Sequence, residues 1–157
     1  MRFWDTSAII PLLVEQGHSG GCRELLRGDA DVVVWQFTET EATGAMLRLR
    51  RDGELDDDGL AESLRRLSAF ARRWDEFRTT SAESLAETRA AAIGVMRRNI
   101  LLRSADALQF AAALGYYGSA TGHPFVTADR TLAAVAAAEG FSVVRPRLQS
   151  RGGRKRF

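Results

Sequence analysis

Five brief runs of strand-forming residues alternate with helical patterns along the chain. No other feature of the sequence limits the possible folds as much. The clearest run is Val32-Val33-Val34-Trp35; the others are Arg2 to Trp4, Glu76 to Thr79, Pro124 to Thr127 and Phe141 to Val144. Valine and tryptophan favour pleated backbone, and apolar runs this short suit strands covered on both faces. Ala42, Ala45, Met46 and Leu49 recur at three- and four-residue steps within residues 38–51, and Leu60, Leu64, Leu67 and Phe70 do so within 58–73. Both stretches therefore predict amphipathic helices. A weaker stripe runs through 82–98, and residues 104–115 are nearly all apolar beyond Asp106, which predicts a deeply buried helix. Residues 129–139 predict a short alanine-rich helix stopped by Gly140. A helix is also expected from about Ser7 to Val14, where Pro11 fits only a first turn or a kink. Strands alternating with helices need crossover connections, so the expected fold is α/β: a mostly parallel sheet with helices on both faces, in three layers.

A length of 157 residues suits one domain, and 45% hydrophobic residues suffice for a core. No apolar stretch approaches the roughly 20 residues of a membrane span, so no membrane partner is expected. The N-terminus meets an acid at Asp5, where a secretory signal needs an unbroken apolar region, so the protein is expected to be unexported. The lone Cys22 cannot form an internal disulfide, which fits a reducing cytoplasm, and it is expected to serve as a small buried hydrophobe. Of 22 basic residues, six (Arg145, Arg147, Arg151, Arg154, Lys155 and Arg156) fall after residue 144 among no acids. The remaining 16 face 20 acids, so the body carries −4. The expected organisation is one domain over residues 1–146 and a basic, flexible tail over 147–157, which is either a nucleic-acid contact or a solvated end. Glycines 17, 20 and 21 follow a helix rather than a strand and do not make a phosphate-binding loop.

Four acids stand where a strand pattern yields to a helix or at the opening of a helix: Asp5, Glu41, Asp106 and Asp129. Each has a plain explanation as a helix cap or first-turn acid, including Thr38-x-x-Glu41 as a capping box. Together they point further. In parallel sheets, ligands bind outside the carboxyl ends of the strands, where such junctions converge. Carboxylates sharing one crevice repel unless a cation lies among them, and oxygen donors without His or Cys suit Mg²⁺ or Mn²⁺. The chemistry suggested is metal-assisted phosphodiester hydrolysis. His18 and His123, in glycine-flanked polar surroundings, are assigned no role.

Four segments resemble a known family. Phe3-Trp4-Asp5-Thr6-Ser7-Ala8 resembles the opening strand and Asp-Thr/Ser-Ser-Ala turn of PIN domains. Thr38-Glu39-Thr40-Glu41, followed by Ala45 to Leu49, resembles their second acidic motif, with Glu41 preferred over Glu39 on spacing. Leu102 to Leu108 resembles the Asp-Ala-Leu helix start, and Phe125 to Leu132 the strand and Thr-x-Asp that precede an alanine-rich helix. The motifs occur in the family's order across residues 2–144, and the chain's size is most similar to the VapC toxins of VapBC toxin–antitoxin pairs.

The resemblance implies a five-stranded parallel sheet of order 3-2-1-4-5. It also implies an acidic site of Asp5, Glu41, Asp106 and Asp129 holding one or two Mg²⁺ or Mn²⁺. Ser7 and Thr127 match supporting hydroxyls, and Arg103 and Arg130 adjoin the motifs as possible RNA contacts or plain surface charge. The implied activity is endonucleolytic cleavage of RNA by a metal-activated water, the implied assembly a homodimer, and the implied partner a cognate VapB-type antitoxin. The alternatives are an RNA-processing PIN ribonuclease without an antitoxin and a non-catalytic PIN-like module that binds RNA or protein. Phe70, Trp74 and Phe77 form an aromatic cluster that serves either a partner face or the core.

Overall fold

The computed structural model describes residues 1–149. The chain runs β1 (Arg2–Trp4), α1 (Thr6–Leu13), α2 (Ser19–Gly28), β2 (Val32–Trp35), α3 (Thr38–Arg51) and α4 (Asp57–Ala71). It continues through β3 (Asp75–Phe77), α5 (Ala82–Arg98), α6 (Ser104–Tyr117), β4 (Pro124–Val126), α7 (Arg130–Ala138) and β5 (Ser142–Val144). The five strands form one sheet in the order β3-β2-β1-β4-β5, and all four pairings are parallel. This is the expected α/β sheet.

Side chains on successive strand residues point to opposite faces, and two apolar layers follow from that alternation. Phe3, Val33, Trp35 and Phe125 face α5, α6 and α7 through Val95, Phe110, Leu132 and Val135. Trp4, Val32, Val34 and Val126 face the other helices through Ile9, Cys22, Met46 and Leu67. The strands are buried on both sides, which is why their sequences read as continuous apolar runs rather than alternating ones. Cys22 is buried, and burial pushes its thiol up to about 12, so it acts as the expected small hydrophobe.

Three expectations need correction. A helix unmarked in the sequence, α2, occupies residues 19–28. It opens with Gly20 and Gly21, and the segment after β5 packs against that turn. A Cβ on Gly21 would stand 2.4 Å from the Arg147 nitrogen, and the Gln149 N–H donates to the Gly17 carbonyl across 2.8 Å. Gly21 is a spacer for a close backbone approach, and Gly20 makes room for the Gln149 side chain. Pro11 lies well inside α1 rather than in its first turn. Phe70 and Trp74 meet edge to face at 5.4 Å, whereas Phe77 packs in the opposite layer. Most of the basic tail read over 147–157 lies outside the described residues. No helix among the described residues is long and apolar enough to cross a membrane.

The sheet order positions the site. From β1 the chain lays down β2 and β3 on one side, then crosses to lay down β4 and β5 on the other. The switch point falls between β1 and β4, where neighbouring connections leave in opposite directions and open a crevice at the carboxyl ends.

Candidate active site

Asp5 is the first residue after β1 and caps α1. Trp4 pairs with Val126, so Asp5 and Thr127 leave the sheet side by side, and the Asp5 N–H donates to the Val126 carbonyl across 2.9 Å. Asp5 Oδ2 accepts from the Ser7 N–H at 3.1 Å, from the Thr127 hydroxyl at 3.0 Å and from the Ser7 hydroxyl. Ser7 Oγ in turn accepts from the N–H groups of Ala128 at 2.9 Å and Asp129 at 3.1 Å, and Thr127 Oγ1 accepts from Asp129 at 3.1 Å. Ser7 and Thr127 thus tie the β4–α7 connection to Asp5. Both expected hydroxyls lie against the carboxylate.

Glu41 lies in the first turn of α3, but the capping box does not form. Phe37 caps α3 without a side-chain bond, and the buried Thr38 hydroxyl has no partner. Glu41 turns inward instead: its Oε2 accepts from the Thr6 hydroxyl at 2.8 Å and from Gln109 Nε2 at 2.5 Å. Glu39 is exposed, which leaves Glu41 as the acid of this segment that faces the crevice. Gln109, fully buried on α6, was not singled out in the sequence. Its signal was there, as a polar residue one turn after Asp106 in an otherwise apolar helix.

Asp106 opens α6 and is 7% exposed. Arg103 holds it through Nε at 2.8 Å and Nη2 at 3.3 Å, and the same Nη2 stands 3.6 Å from Asp129 Oδ2. Asp129 caps α7, with Oδ1 accepting from the Leu132 N–H at 2.7 Å. The capping explanation therefore holds for one oxygen of Asp5 and one of Asp129, and fails for Glu41 and Asp106.

The electrostatics tie these acids together. Burial raises Asp5 from 3.8 to about 6; its hydroxyl donors oppose the rise, and repulsion from Glu41 and Asp106 adds to it. Asp106 is raised chiefly by burial, with Asp129 and Glu41 adding repulsion and Arg103 opposing. Asp5 is thus sensitive to Glu41 and Asp106, and Asp106 to Asp129 and Glu41. Among the described residues, no three such groups form a ready-made cation cage. Two are engaged elsewhere, Asp106 on Arg103 and Asp129 on the end of α7.

Arg130 is exposed at the start of α7, along a shallow groove with Leu101, Leu102 and Val135. The histidines lie elsewhere: His18 contacts the Pro146 carbonyl at 3.2 Å, and His123 stacks on Tyr117 at 4.4 Å.

No family model and no curated protein sequence matches the chain. A solved structure does: a chain of FitAB bound to an IR36 DNA fragment aligns with a TM-score of 0.61 at 17% identity. The alignment covers 96% of this chain and 99% of that one. At that identity the likeness establishes the fold. The chain has the PIN-like arrangement, a three-layer α/β domain with a parallel sheet of order 3-2-1-4-5.

Proposed function

We propose that this chain is a metal-dependent endoribonuclease and the toxin of a type II toxin–antitoxin pair. The observations that carry the reading are the bonds that link the four acidic segments: Ser7 and Thr127 tie Asp5 to the Asp129 N–H, Arg103 contacts both Asp106 and Asp129, and Thr6 holds Glu41. The likeness to a FitAB chain supports the toxin half of the proposal.

Mg²⁺ or Mn²⁺ fits the donor set, which is all carboxylate oxygen with neither histidine nearby. The raised Asp5 fits as well, because burial and acidic neighbours leave its ionised form in need of a cation. Asp5, Glu41 and Asp106 would hold the ion, and Asp129 would complete the set. When bound, such an ion activates water for attack and neutralises charge building on a phosphate.

The chain's own groups do the rest. Ser7 and Thr127 fix the rotamer of Asp5, and Thr6 with Gln109 fixes Glu41. The Arg103 side chain is 73% exposed, so it can leave Asp106 and meet a phosphate oxygen of a bound strand. Arg130, exposed and next in sequence to Asp129, would be a second cation for the strand. A single-stranded loop is the fitting substrate, because its phosphates are accessible. A VapB-type antitoxin, a homodimer and a cytoplasmic setting complete the proposal.

Incubation of the purified protein with a structured RNA tests the reading. Cleavage with Mg²⁺ or Mn²⁺, loss of cleavage with EDTA, and RNA binding without cleavage by Asp5→Asn are expected. Equal cutting by the two proteins contradicts it. Growth arrest on expression, relieved by a co-expressed antitoxin, separates the toxin from a housekeeping ribonuclease.

A further inference from the structure

We propose that Gln109 is a positioning residue of the acidic site, one that presets Glu41 for a cation without touching the cation itself. The proposal rests on the metal-site reading above.

Gln109 is fully buried on α6, in the layer opposite α1 and α3, yet its carboxamide reaches across the sheet edge to both. Nε2 donates to Thr6 Oγ1 at 2.7 Å and to Glu41 Oε2 at 2.5 Å, while the Thr6 hydroxyl donates to the same Glu41 oxygen at 2.8 Å. The three side chains close a triangle that spans both helical layers.

The direction of the amide follows from its neighbours. An ionised carboxylate only accepts, and the one proton of Thr6 already points at Glu41. A flipped amide would set its carbonyl oxygen against two acceptors, so the nitrogen must face them. The carbonyl oxygen then has nowhere to go: Gln109 Oε1 is buried and without a partner.

An unsatisfied buried carbonyl costs stability, and a methionine of similar shape would fill the space without that cost. Packing therefore does not account for a glutamine here, whereas orienting Glu41 does. Both bonds to Glu41 end on Oε2, and among the described residues no hydrogen bond engages Oε1. That oxygen is left free as a ligand with the carboxylate already oriented. Partners of this kind, one step removed from a metal, set affinity by fixing ligand geometry.

The test is a mutant cycle read by calorimetric titration of Mn²⁺ into wild type, Gln109→Met, Glu41→Gln and the double variant, with melting measured in EDTA. Gln109→Met is expected to weaken Mn²⁺ binding about tenfold, with a metal-free melting temperature lowered by no more than the loss of its bonds to Glu41 and Thr6 accounts for. The weakening should vanish in the Glu41→Gln background, where no carboxylate remains to orient. Wild-type affinity in Gln109→Met overturns the proposal, and so does equal weakening in both backgrounds, which is what a general packing defect produces. If Gln109→Met does not fold, the uncharged Gln109→Leu enters the same cycle, with weaker binding that again depends on Glu41. A wild-type protein that takes up no Mn²⁺ overturns the metal-site reading itself, and this proposal with it.

Discussion

The Thr127 hydroxyl donates to the Asp5 carboxylate across 3.0 Å although 122 residues separate them. The bond exists because β1 and β4 are parallel neighbours in register, Trp4 with Val126, so the next residue of each strand leaves the sheet at the same point. Thr127 is fully buried, and a hydrogen bond to a charged group contributes about 1.5–3 kcal/mol. Thr127→Val should lower the metal-free unfolding free energy at pH 7 by about that amount, and Thr127→Ser should retain most of it. Urea denaturation in EDTA measures both. A valine variant as stable as wild type contradicts the assignment.

Asp5 makes stability depend on pH in a definite direction. Burial, joined by repulsion from Glu41 and Asp106, raises its folded-state pKa from 3.8 to about 6. Between those values the unfolded chain has released the proton and the folded chain has kept it. Metal-free stability therefore falls as pH rises through that window, by roughly 3 kcal/mol in all. Asp5→Asn removes this fall. Its advantage over wild type in EDTA should be near zero at about pH 4 and greatest above about pH 6. Parallel pH profiles for the two proteins contradict the account.

Arg103 is the resting counter-ion of Asp106, at 2.8 Å. The Arg103 side chain is 73% exposed, so the pair contributes under about 1 kcal/mol. Arg103→Gln should leave the melting temperature in EDTA nearly unchanged. It should also tighten Mn²⁺ binding, because a competing cation has left Asp106. Calorimetric titration decides the point, and unchanged or weaker Mn²⁺ affinity speaks against competition.

Much of this arrangement was legible in the sequence, for identifiable reasons. Val32 to Trp35 reads as a strand because burial on both faces demands an unbroken apolar run. The four acids were readable because each follows a strand pattern or opens a helix. Helix α2 was hidden because Ser19-Gly20-Gly21 is a poor helix opening, and its rationale is the Arg147 backbone, more than a hundred residues away. Thr38-x-x-Glu41 has the spacing of a capping box, yet tertiary partners on α1 and α6 take the glutamate. Nothing in the spacing of Arg103 and Asp106 marks the ion pair as one that occupies the site.

The two ends of α2 supply a matched pair of glycine tests. Glycine inside a helix costs about 0.5–1 kcal/mol relative to alanine. At Gly28 an added Cβ meets nothing within 4 Å, so Gly28→Ala should gain roughly that amount. At Gly21 the added Cβ would stand 2.4 Å from the Arg147 nitrogen and 2.5 Å from its carbonyl oxygen, so Gly21→Ala should lose about 1–3 kcal/mol. Urea denaturation of both variants checks the contrast. A stabilised Gly21→Ala means that residues 146–149 do not pack on α2.

The central claim is that one divalent cation binds among carboxylates drawn from separate segments. Crystals soaked in Mn²⁺ and measured for anomalous scattering test it directly. The account predicts a strong peak within ligand distance of Asp5, Glu41 and Asp106, with Arg103 turned away from Asp106. Well-ordered crystals at saturating Mn²⁺ with no peak among those carboxylates would contradict it.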